Sequence, residues 1–458
     1  MKNFKEVLEN EEKVLIKVEP KDYVKFLTWA KQQGCCWVGK KAIEPKTDLK
    51  NHPFALIGLT ADKTIGFVSA MCWTNDKQSK KIILQQIFAT NLHCETSESV
   101  NIGHPDKTCD TIADAFLDEA LRQDKNSQMA VECAIKDNKL FVYGEATTKA
   151  KINYDEIACN ILKDIGYDCK FEIVKQISEQ SPDINQAVVK TKLCANDQGV
   201  CFGYATNETK EFMPLPIVIA HKLMQKYEQF RRKNNNFFAD AKSQVTIEYD
   251  GNKPIAVKTV LVSVSHAKNI SLKEIKTTIQ NEVINPILKE YSSLIFNTEY
   301  LINPSGKFTV WGSFGDSGCV GRKIVVDTYG GIGRVGGGCF SSKNATKVDR
   351  SGAYYARYVA KNIVAHNFAD KCEVELSFGI GLEKPLSLTI NTFGTEKISL
   401  DDIYNYVENN FDFSLDNIID ELNLLKPIYK QTACYGHFGR EQFAWEKIKN
   451  IKNKYKLS

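Results

Sequence analysis

The segment from residue 315 to residue 350 constrains the fold more than any other part of this chain. It carries Gly315-Asp-Ser-Gly-Cys-Val-Gly-Arg-Lys323, then Gly336-Gly-Gly-Cys-Phe-Ser-Ser-Lys343, and ends at Lys347-Val-Asp-Arg350. Successive glycines let backbone N–H groups close on an anion, and the adjoining serines and lysines add hydroxyl and ammonium donors. The chemistry is that of a phosphate cradle, although the GxxxxGK[ST] pattern is absent. A glycine-rich structural turn is the alternative interpretation.

A second motif, Thr96-Ser-Glu-Ser-Val-Asn-Ile-Gly-His-Pro-Asp-Lys107, stands directly before a helical pattern. Apolar residues return to one face between residues 110 and 123, which predicts a helix there. The preceding loop brings His104, Asp106 and Lys107 to the helix N-terminus, where free N–H groups and the helix dipole favour phosphate. Asp106 could then hold a cation that bridges phosphates. An ordinary helix start with an aspartate in its first turn is the alternative.

A third motif runs from residue 194 to residue 208 and combines a polar, glycine-bearing turn with apolar residues. Asp197 could accept a hydrogen bond from a ligand, or it could close the turn. A second helix is predicted over 351–366, and alternation of apolar and polar residues predicts strands over 243–249 and 255–264. Mixed sheets with helices on one face follow from this order of elements.

Length and composition exclude several classes of protein. The 458 residues suggest two to four domains, and 43% hydrophobic with 25% charged residues is typical of globular proteins rather than disordered ones. The N-terminus lacks the apolar run of a secretory signal, and no stretch approaches a transmembrane helix. A net charge of +4 is too small to indicate nucleic acid. We therefore expect a cytoplasmic protein with reduced cysteines and with neither nucleic acid nor a membrane as a partner.

The segment before residue 92 contains no recognisable chemistry. Helical periodicity around residues 23–30 is followed by strand-like runs at 54–59 and 83–88, which predicts a small α+β unit. Its core is expected to contain four aromatic residues: Trp29, Trp37, Phe67 and Trp73. We predict an accessory domain over residues 1–90 and a separate core over residues 91–458.

From residue 93 onward the chain resembles the S-adenosylmethionine synthetase family, also called methionine adenosyltransferases. The resemblance rests on six motifs in the family's order: GHPDK, DQGVCFGYATNET, DAKSQVT, GRKIVVDTYGG, KVDRSGAYYARYVAKNIVA and FGREQFAWEK. It implies an α+β fold of three similar β/α subdomains around a pseudo-threefold axis, with the subdomains interleaved in sequence. It also implies a homodimer or a dimer of dimers with active sites between subunits.

In the family this chain resembles, the methionine sulfur attacks the ribose 5′ carbon of ATP and expels the triphosphate. The same site then cleaves the triphosphate to pyrophosphate and phosphate, with two magnesium ions and potassium as cofactors. The leaving group carries about four negative charges, which preorganised cations, N–H groups and metal ions can stabilise. The residue inventory of the glycine-rich segments fits that requirement.

The resemblance also assigns roles to individual residues. The catalytic residues it implies are His104, Lys107, Arg322, Lys343 and Asp349. The ATP and triphosphate contacts it implies are Glu98, His104, Asp240, Lys242, Phe308, Arg322, Lys323, Lys343 and Lys347. The methionine contacts it implies are Glu145, Gln180, Asp197, Asp316 and Lys347, with Asp106 as a magnesium ligand and Glu132 as the potassium ligand.

Five positions depart from the family pattern: Asn196, Val335, Cys339, Ser342 and Asn344. Ser342 stands where the family has glycine, so its side chain is expected to crowd the ligand or to demand an unfavourable dihedral angle. The retained lysines and acids favour an active synthetase. The alternative hypothesis is a non-catalytic regulatory subunit that binds an active synthetase through the family's dimer surface.

Overall fold

The computed structural model describes residues 92–179, 193–295 and 297–450, together with the backbone of five short strands between residues 13 and 83. The chain divides into two compact units. The first contains residues 1–95, 246–260 and 291–300, and the second contains residues 96–245, 261–290 and 301–458. An accessory domain that ends at residue 90 stays a prediction.

The five N-terminal strands form one sheet in the order β2-β4-β3-β1-β5. The strands are β1 (Lys13–Val18), β2 (Cys36–Trp37), β3 (Ala55–Thr60), β4 (Thr64–Val68) and β5 (Lys80–Ile83). The strand predicted at 54–59 is therefore confirmed as β3. The helix predicted around residues 23–30, most of the strand predicted at 83–88, and the side chains of Trp29, Trp37, Phe67 and Trp73 lie outside the described residues.

The next segment contains a long helix that packs on an antiparallel pair. Its elements are β6 (Leu92–Val100), α1 (Pro105–Gln123), β7 (Gln128–Lys136), β8 (Lys139–Thr147), α2 (Tyr154–Ile165) and β9 (Glu172–Ser178). The predicted helix is confirmed, but it begins five residues earlier than expected, with His104 as its N-cap and Pro105 in its first turn. Alternate residues of β7 are buried, so one face of the sheet is covered and the other is open.

The central segment supplies the longest strands. Its elements are β10 (Gly199–Thr206), α3 (Leu215–Arg231), β11 (Phe237–Asp250), β12 (Lys253–His266), α4 (Leu272–Ile279), α5 (Asn285–Leu288) and β13 (Glu299–Ile302). A π-helical turn, Gln280–Ile284, joins α4 to α5. Both predicted strands are confirmed within β11 and β12, and the sheet order is β13-β12-β11-β6.

The C-terminal segment places its main helix on a three-stranded sheet. Its elements are β14 (Gly318–Cys319), α6 (Ile324–Asp327), α7 (Val348–Ala365), β15 (Lys371–Phe378), β16 (Ser387–Asn391), α8 (Leu400–Asn410) and α9 (Leu415–Glu421). Strand β14 joins the sheet β14-β7-β8-β9, and the third sheet has the order β10-β15-β16. The helix predicted at 351–366 is confirmed as α7.

The described residues thus form the expected mixed α+β fold, with three sheets between residues 92 and 450 and helices packed against them. A pseudo-threefold relation among three subdomains stays a prediction. Among the described residues, no helix is long and apolar enough to cross a membrane.

Gly203 lets β10 approach α7 closely. A methyl group built at Gly203 would lie 1.9 Å from the backbone carbon of Ala356. We expect Gly203→Ala to lower the free energy of unfolding by about 3 kcal/mol, because strand and helix must separate to admit the methyl group. Chemical denaturation measures this loss. Gly337→Ala is the control, since no atom of the described residues beyond its chain neighbours lies within 4 Å of a methyl group there. Equal losses in both variants would contradict the prediction.

Candidate active site

Hydrogen bonds join the start of α1 to the loop that contains β14. The Nδ1 atom of His104 accepts a hydrogen bond from the Asp106 N–H at 3.2 Å. One carboxylate oxygen of Asp106 accepts from the Cys319 N–H at 3.0 Å, and the other accepts from the Lys323 ammonium at 2.6 Å. The sequence separates these residues by more than two hundred positions, but the fold joins them at the helix N-terminus, where the dipole favours anions.

His104 is held neutral at this position. Burial, together with the nearby ammonium groups of Lys323 and Lys242, lowers the pKa of His104 to about 3 against the smaller opposing effect of Asp106. Burial would raise the pKa of Asp106, but the hydrogen bonds from Lys323 and Cys319 outweigh it and hold that pKa below its usual value. The site therefore combines a neutral imidazole with an ionised carboxylate at ordinary pH.

Asp240, on β11, places a further carboxylate near Asp106. It is 5% exposed, and its Oδ2 atom accepts a hydrogen bond from the Gly312 N–H at 3.0 Å. Its Oδ1 atom is buried without a hydrogen-bond partner in the described structure. Burial raises the pKa of Asp240 to about 6, and the charges of Asp316 and Asp106 contribute in the same direction. The charges of Asp106 and Asp316 therefore act on the Asp240 carboxylate.

Two cationic side chains, Arg322 and Lys323, line an open cleft. The Nε atom of Arg322 lies 3.5 Å from the Asp106 carboxylate. A cleft of about 300 Å³ is lined by Glu98 and by residues 321–326. We call the set the His104 group and define it by seven residues: His104, Asp106, Asp240, Lys242, Asp316, Arg322 and Lys323.

A second set lies around Lys343 at the start of α7. The ammonium group of Lys343 contacts the Asp349 carboxylate at 2.5 Å. Burial and the neighbouring Lys343 lower the pKa of Lys347, whereas Glu145, Asp197 and Asp349 act in the opposite direction. The structure thus brings together two lysines and three carboxylates. We call this set the Lys343 group and define it by Glu145, Asp197, Lys343, Lys347 and Asp349.

The glycine-rich loop wraps tightly around this second set. A methyl group at Gly338 would lie 2.1 Å from an Asp349 carboxylate oxygen, so only glycine allows the approach. Ser342 has a φ angle of +77°, which confirms the expected unfavourable dihedral. Asn344 accepts a hydrogen bond from the Met129 N–H at 3.0 Å and donates to Thr346 at 2.9 Å. The departures at 342 and 344 are therefore built into the loop's conformation and its attachment to β7.

Lys107 is placed differently from the other expected phosphate contacts. Its side chain is fully buried, and its ammonium group forms ion pairs with Asp110, at 2.9 Å, and with Asp327. Burial lowers the pKa of Lys107, but these two carboxylates outweigh it and raise the pKa above its ordinary value. The structure therefore places Lys107 in a charged cluster beneath the loop rather than beside the cleft.

The remaining expected residues lie in varied surroundings. Phe308 is half-buried, and its N–H donates to His266 Nε2 at 3.1 Å. Glu132 is half-buried on β7 and accepts from the Tyr143 hydroxyl at 3.5 Å. Asp197 is exposed and accepts from the Gln198 N–H at 2.8 Å. Gln180 lies outside the described residues.

Sequence reasoning missed the buried residues that attach the loops to the helices. Asp110 accepts from the Gly321 N–H at 2.9 Å, and Asp114 accepts from the Ser342 N–H at 3.0 Å. Arg350 forms a bidentate pair with Asp114 at 2.7 Å. The available signal was the recurrence of aspartate at every fourth position from residue 106 to residue 118.

The carboxylates of the His104 group fit the requirements of magnesium. Magnesium prefers oxygen ligands and is usually held by one or two carboxylates together with water and substrate phosphates. The Oδ1 atom of Asp240, which has no hydrogen-bond partner among the described residues, is a buried acceptor that a cation would satisfy. No group of three or more His, Cys, Asp or Glu side chains in the described ranges is arranged to hold a metal by itself. The donor set thus suits a metal that arrives with phosphate.

Known proteins match nearly the whole region from residue 93 onward. Models of the S-adenosylmethionine synthetase N-terminal, central and C-terminal domains match residues 93–189, 192–308 and 310–447. The S-adenosylmethionine synthase of Mesoplasma florum is 46% identical over 373 residues, which cover 78% of this chain and 98% of that protein. Those of Mycoplasma mycoides and Mycoplasma capricolum are each 46% identical over 372 residues, covering 78% of this chain and 95% of each relative. The chain therefore belongs to the S-adenosylmethionine synthetase family.

Proposed function

We propose that this enzyme makes S-adenosylmethionine from ATP and L-methionine by in-line attack of the sulfur on the ribose 5′ carbon. The expelled triphosphate is then hydrolysed to pyrophosphate and phosphate in the same site. The observation that carries the proposal is the convergence of Lys242, Arg322 and Lys323 at the start of a helix whose first turn bears Asp106. Preorganised cations at a helix N-terminus stabilise the negative charge that develops on a leaving triphosphate.

Magnesium would be held by Asp106 and Asp240 together with substrate phosphates and water, and potassium by Glu132. Bound magnesium neutralises phosphate charge and orients the leaving group. The support for this assignment is the effect of the Asp106 charge on Asp240, together with the Asp240 Oδ1 atom, which has no hydrogen-bond partner among the described residues. The number of magnesium ions, two, and the identity of the potassium site follow from family membership.

The side chains of the His104 group and the Lys343 group would have different roles in binding and catalysis. His104 is neutral and its Nδ1 atom accepts from the Asp106 N–H, so its Nε2–H group can donate a hydrogen bond near the ribose without adding charge. Arg322 and Lys323 would bind the phosphates, while Lys343 and Lys347 would close on them from the glycine-rich loop. Glu145, Asp197 and Gln180 would bind the methionine amino and carboxyl ends, and Phe308 would stack on adenine.

We propose a homodimer, or a dimer of dimers, with the active site between subunits. The open face of the sheet β14-β7-β8-β9 carries Phe141, Tyr143 and Val174, which are 42%, 37% and 42% exposed. Glu145 follows Phe141 and Tyr143 at alternate positions of β8 and so shares their face. A partner that covers this apolar face would also enclose the methionine-side acid. The protein would act in the cytoplasm, with no nucleic acid or membrane as a partner.

A direct assay tests the proposed function. Purified full-length protein with ATP, methionine, magnesium and potassium should form S-adenosylmethionine, pyrophosphate and phosphate in equal amounts. Ser342 is the observation that favours a non-catalytic regulatory subunit, because a serine at φ +77° replaces the family's glycine. No product across magnesium and potassium concentrations, together with stimulation of an active family member, would support that alternative.

His104→Asn is expected to impair adenosyl transfer more than the hydrolysis of added triphosphate. The reason is that the family position of His104 lies at the ribose end of ATP, whereas the phosphate contacts lie elsewhere in the site. Asparagine keeps a hydrogen-bonding side chain of similar reach, so the fold should persist. Separate assays of the two half-reactions measure the difference, and an equal loss in both would remove His104 from the ribose end.

We propose that residues 1–90 are an accessory domain, which a shortened chain beginning at Asn91 tests. We expect this chain to retain synthesis within about threefold, because every family motif begins after residue 92 and domains tend to fold as separate units. Steady-state kinetics and the mass in solution of the shortened and full chains are compared. A shortened chain that is folded but inactive would show instead that the N-terminal segment completes the site.

A further inference from the structure

One face of α1 carries four buried aspartates at four-residue intervals, and each accepts hydrogen bonds from the backbone of another segment. Asp106, Asp110, Asp114 and Asp118 are at most 3% exposed. A four-residue interval places side chains one above the other along a helix. Their backbone donors are, in order, Cys319, Gly321, Ser342, and the pair Tyr429 and Lys430.

The third aspartate reaches the loop that carries Lys343. Asp114 accepts from the Ser342 N–H at 3.0 Å and forms two hydrogen bonds of 2.7 Å with Arg350. Arg350 in turn donates to the Lys343 carbonyl oxygen at 3.1 Å. The Asp114 carboxylate therefore holds the Ser342 N–H, and the Arg350 guanidinium holds the Lys343 carbonyl oxygen.

Arg350 itself is immobilised by its surroundings. It is 1% exposed and donates further hydrogen bonds to Thr432 and Tyr354, both at 3.0 Å. Its guanidinium also lies 4.2 Å from the centre of the Tyr429 ring. All of these partners are buried, so the guanidinium has one stable orientation from which it holds the loop.

Ser342, the first of these two residues, is under backbone strain. Ser342 adopts a φ of +77°, which is unfavourable for a residue with a Cβ atom, and its hydroxyl is buried with no hydrogen-bond partner in the described part of the chain. Such a conformation persists only where the surroundings impose it. The Asp114–Arg350 pair supplies that constraint on the residue next to Lys343.

We propose that Asp114 and Arg350 are positioning residues that hold the strained backbone at Ser342 and thereby direct the Lys343 ammonium group toward the expelled triphosphate. We call the Asp114–Arg350 pair the clamp. This inference rests on the proposed function, since it assigns the clamp a purpose in that reaction. The proposal predicts that the loop depends on the clamp because the backbone at Ser342 is strained. A glycine at position 342 would adopt the same φ without strain and would depend less on the clamp.

Arg350→Lys is the main test variant. Lysine keeps a positive charge opposite Asp114 but cannot form the bidentate pair and also reach the Lys343 carbonyl. We expect kcat to fall by about a hundredfold, as when a catalytic group is displaced by about 1 Å. The KM for methionine should change by less than about threefold, because the residues that would bind methionine, Glu145 and Asp197, are not held by this pair. Asp114→Asn is the less favourable variant, because it leaves the Arg350 charge buried without its carboxylate.

Adding Ser342→Gly separates positioning from general stability. In the Arg350→Lys background, Ser342→Gly should restore kcat by about tenfold, since relief of the left-handed strain lets the loop keep its conformation. Arg357→Lys is the matched control, because Arg357 is also buried on α7 and forms a bidentate pair with Glu446, outside both site groups. We expect Arg357→Lys to leave kcat within about twofold. A purely structural role would lower the melting temperature of Arg350→Lys with unchanged kcat and with no rescue by glycine.

Hydrogen–deuterium exchange gives a readout that does not depend on turnover. Amides of residues 340–345 should exchange faster in Arg350→Lys, return toward the original rate when Ser342→Gly is added, and be unchanged in Arg357→Lys. Faster exchange without loss of kcat, or loss of kcat without faster exchange, would overturn the proposal. If the unaltered protein makes no S-adenosylmethionine, the proposed function fails, and the purpose assigned to the clamp fails with it; unchanged exchange in Arg350→Lys, by contrast, removes the clamp alone.

Discussion

Lys343→Met is expected to lower kcat for S-adenosylmethionine formation by at least about a hundredfold, because it removes a charge directed at the expelled triphosphate. The ammonium group of Lys343 is 2.5 Å from Asp349 in the described structure, so a compact cation is already held at this point. Methionine retains the length and apolar stem of the side chain but cannot stabilise developing negative charge. Steady-state kinetics and the hydrolysis of added triphosphate should both show the loss.

The control for this variant is Lys163→Met, because Lys163 is an exposed residue of α2 outside both groups. The Lys343 variant should remain folded, since its side chain is 17% exposed and its ion pair is therefore partly solvated. Circular dichroism and the melting temperature check this. Near-normal turnover in Lys343→Met would remove the residue from the catalytic set and would weaken the assignment of the glycine-rich loop.

Asp240→Asn is expected to lower kcat/KM at a fixed magnesium concentration by at least about a hundredfold, because stabilisation by a bound metal is worth several kcal/mol. Asparagine has nearly the same shape and can still accept from the Gly312 N–H, but it offers a metal no negative charge. Titration calorimetry with magnesium and a non-hydrolysable ATP analogue gives a second measurement, in which binding should weaken. Unchanged magnesium affinity would show that Asp240 does not face the metal.

The same variant should not lose stability, and this separates a site effect from a folding effect. Burial raises the pKa of Asp240 to about 6 in the folded protein, above the ordinary value of about 4. A carboxyl group with a raised folded pKa favours the folded state less as pH rises through that range, so its ionised form is unfavourable at pH 8. Replacing it with a neutral amide removes this cost. We therefore expect the free energy of unfolding at pH 8 to stay equal or to increase, and a clear decrease would point to a structural role.

Local sequence patterns were sufficient for the elements that surround the site. The spacing of apolar residues predicted α1 and α7, and the alternation in β11 and β12 predicted both strands, because each pattern depends on residues only a few positions apart. The one correction at α1 is its start, since Pro105 and the capping His104 extend the helix beyond the periodic residues. Glycine at the Ser342 position of the family similarly predicted the positive φ that the structure shows.

Sequence alone was enough to identify the family, two helices and two strands of the core, and the inventory of charged residues, because motifs and periodicity are local properties of the chain. Which charges meet depends on the packing of distant segments. The tertiary structure buries Lys107 between Asp110 and Asp327, joins Asp106 to Lys323, and sets Arg350 against Asp114 across more than two hundred residues. Such pairs depend on how α1, α7 and the connecting loops pack together, and no short-range pattern records the resulting distances.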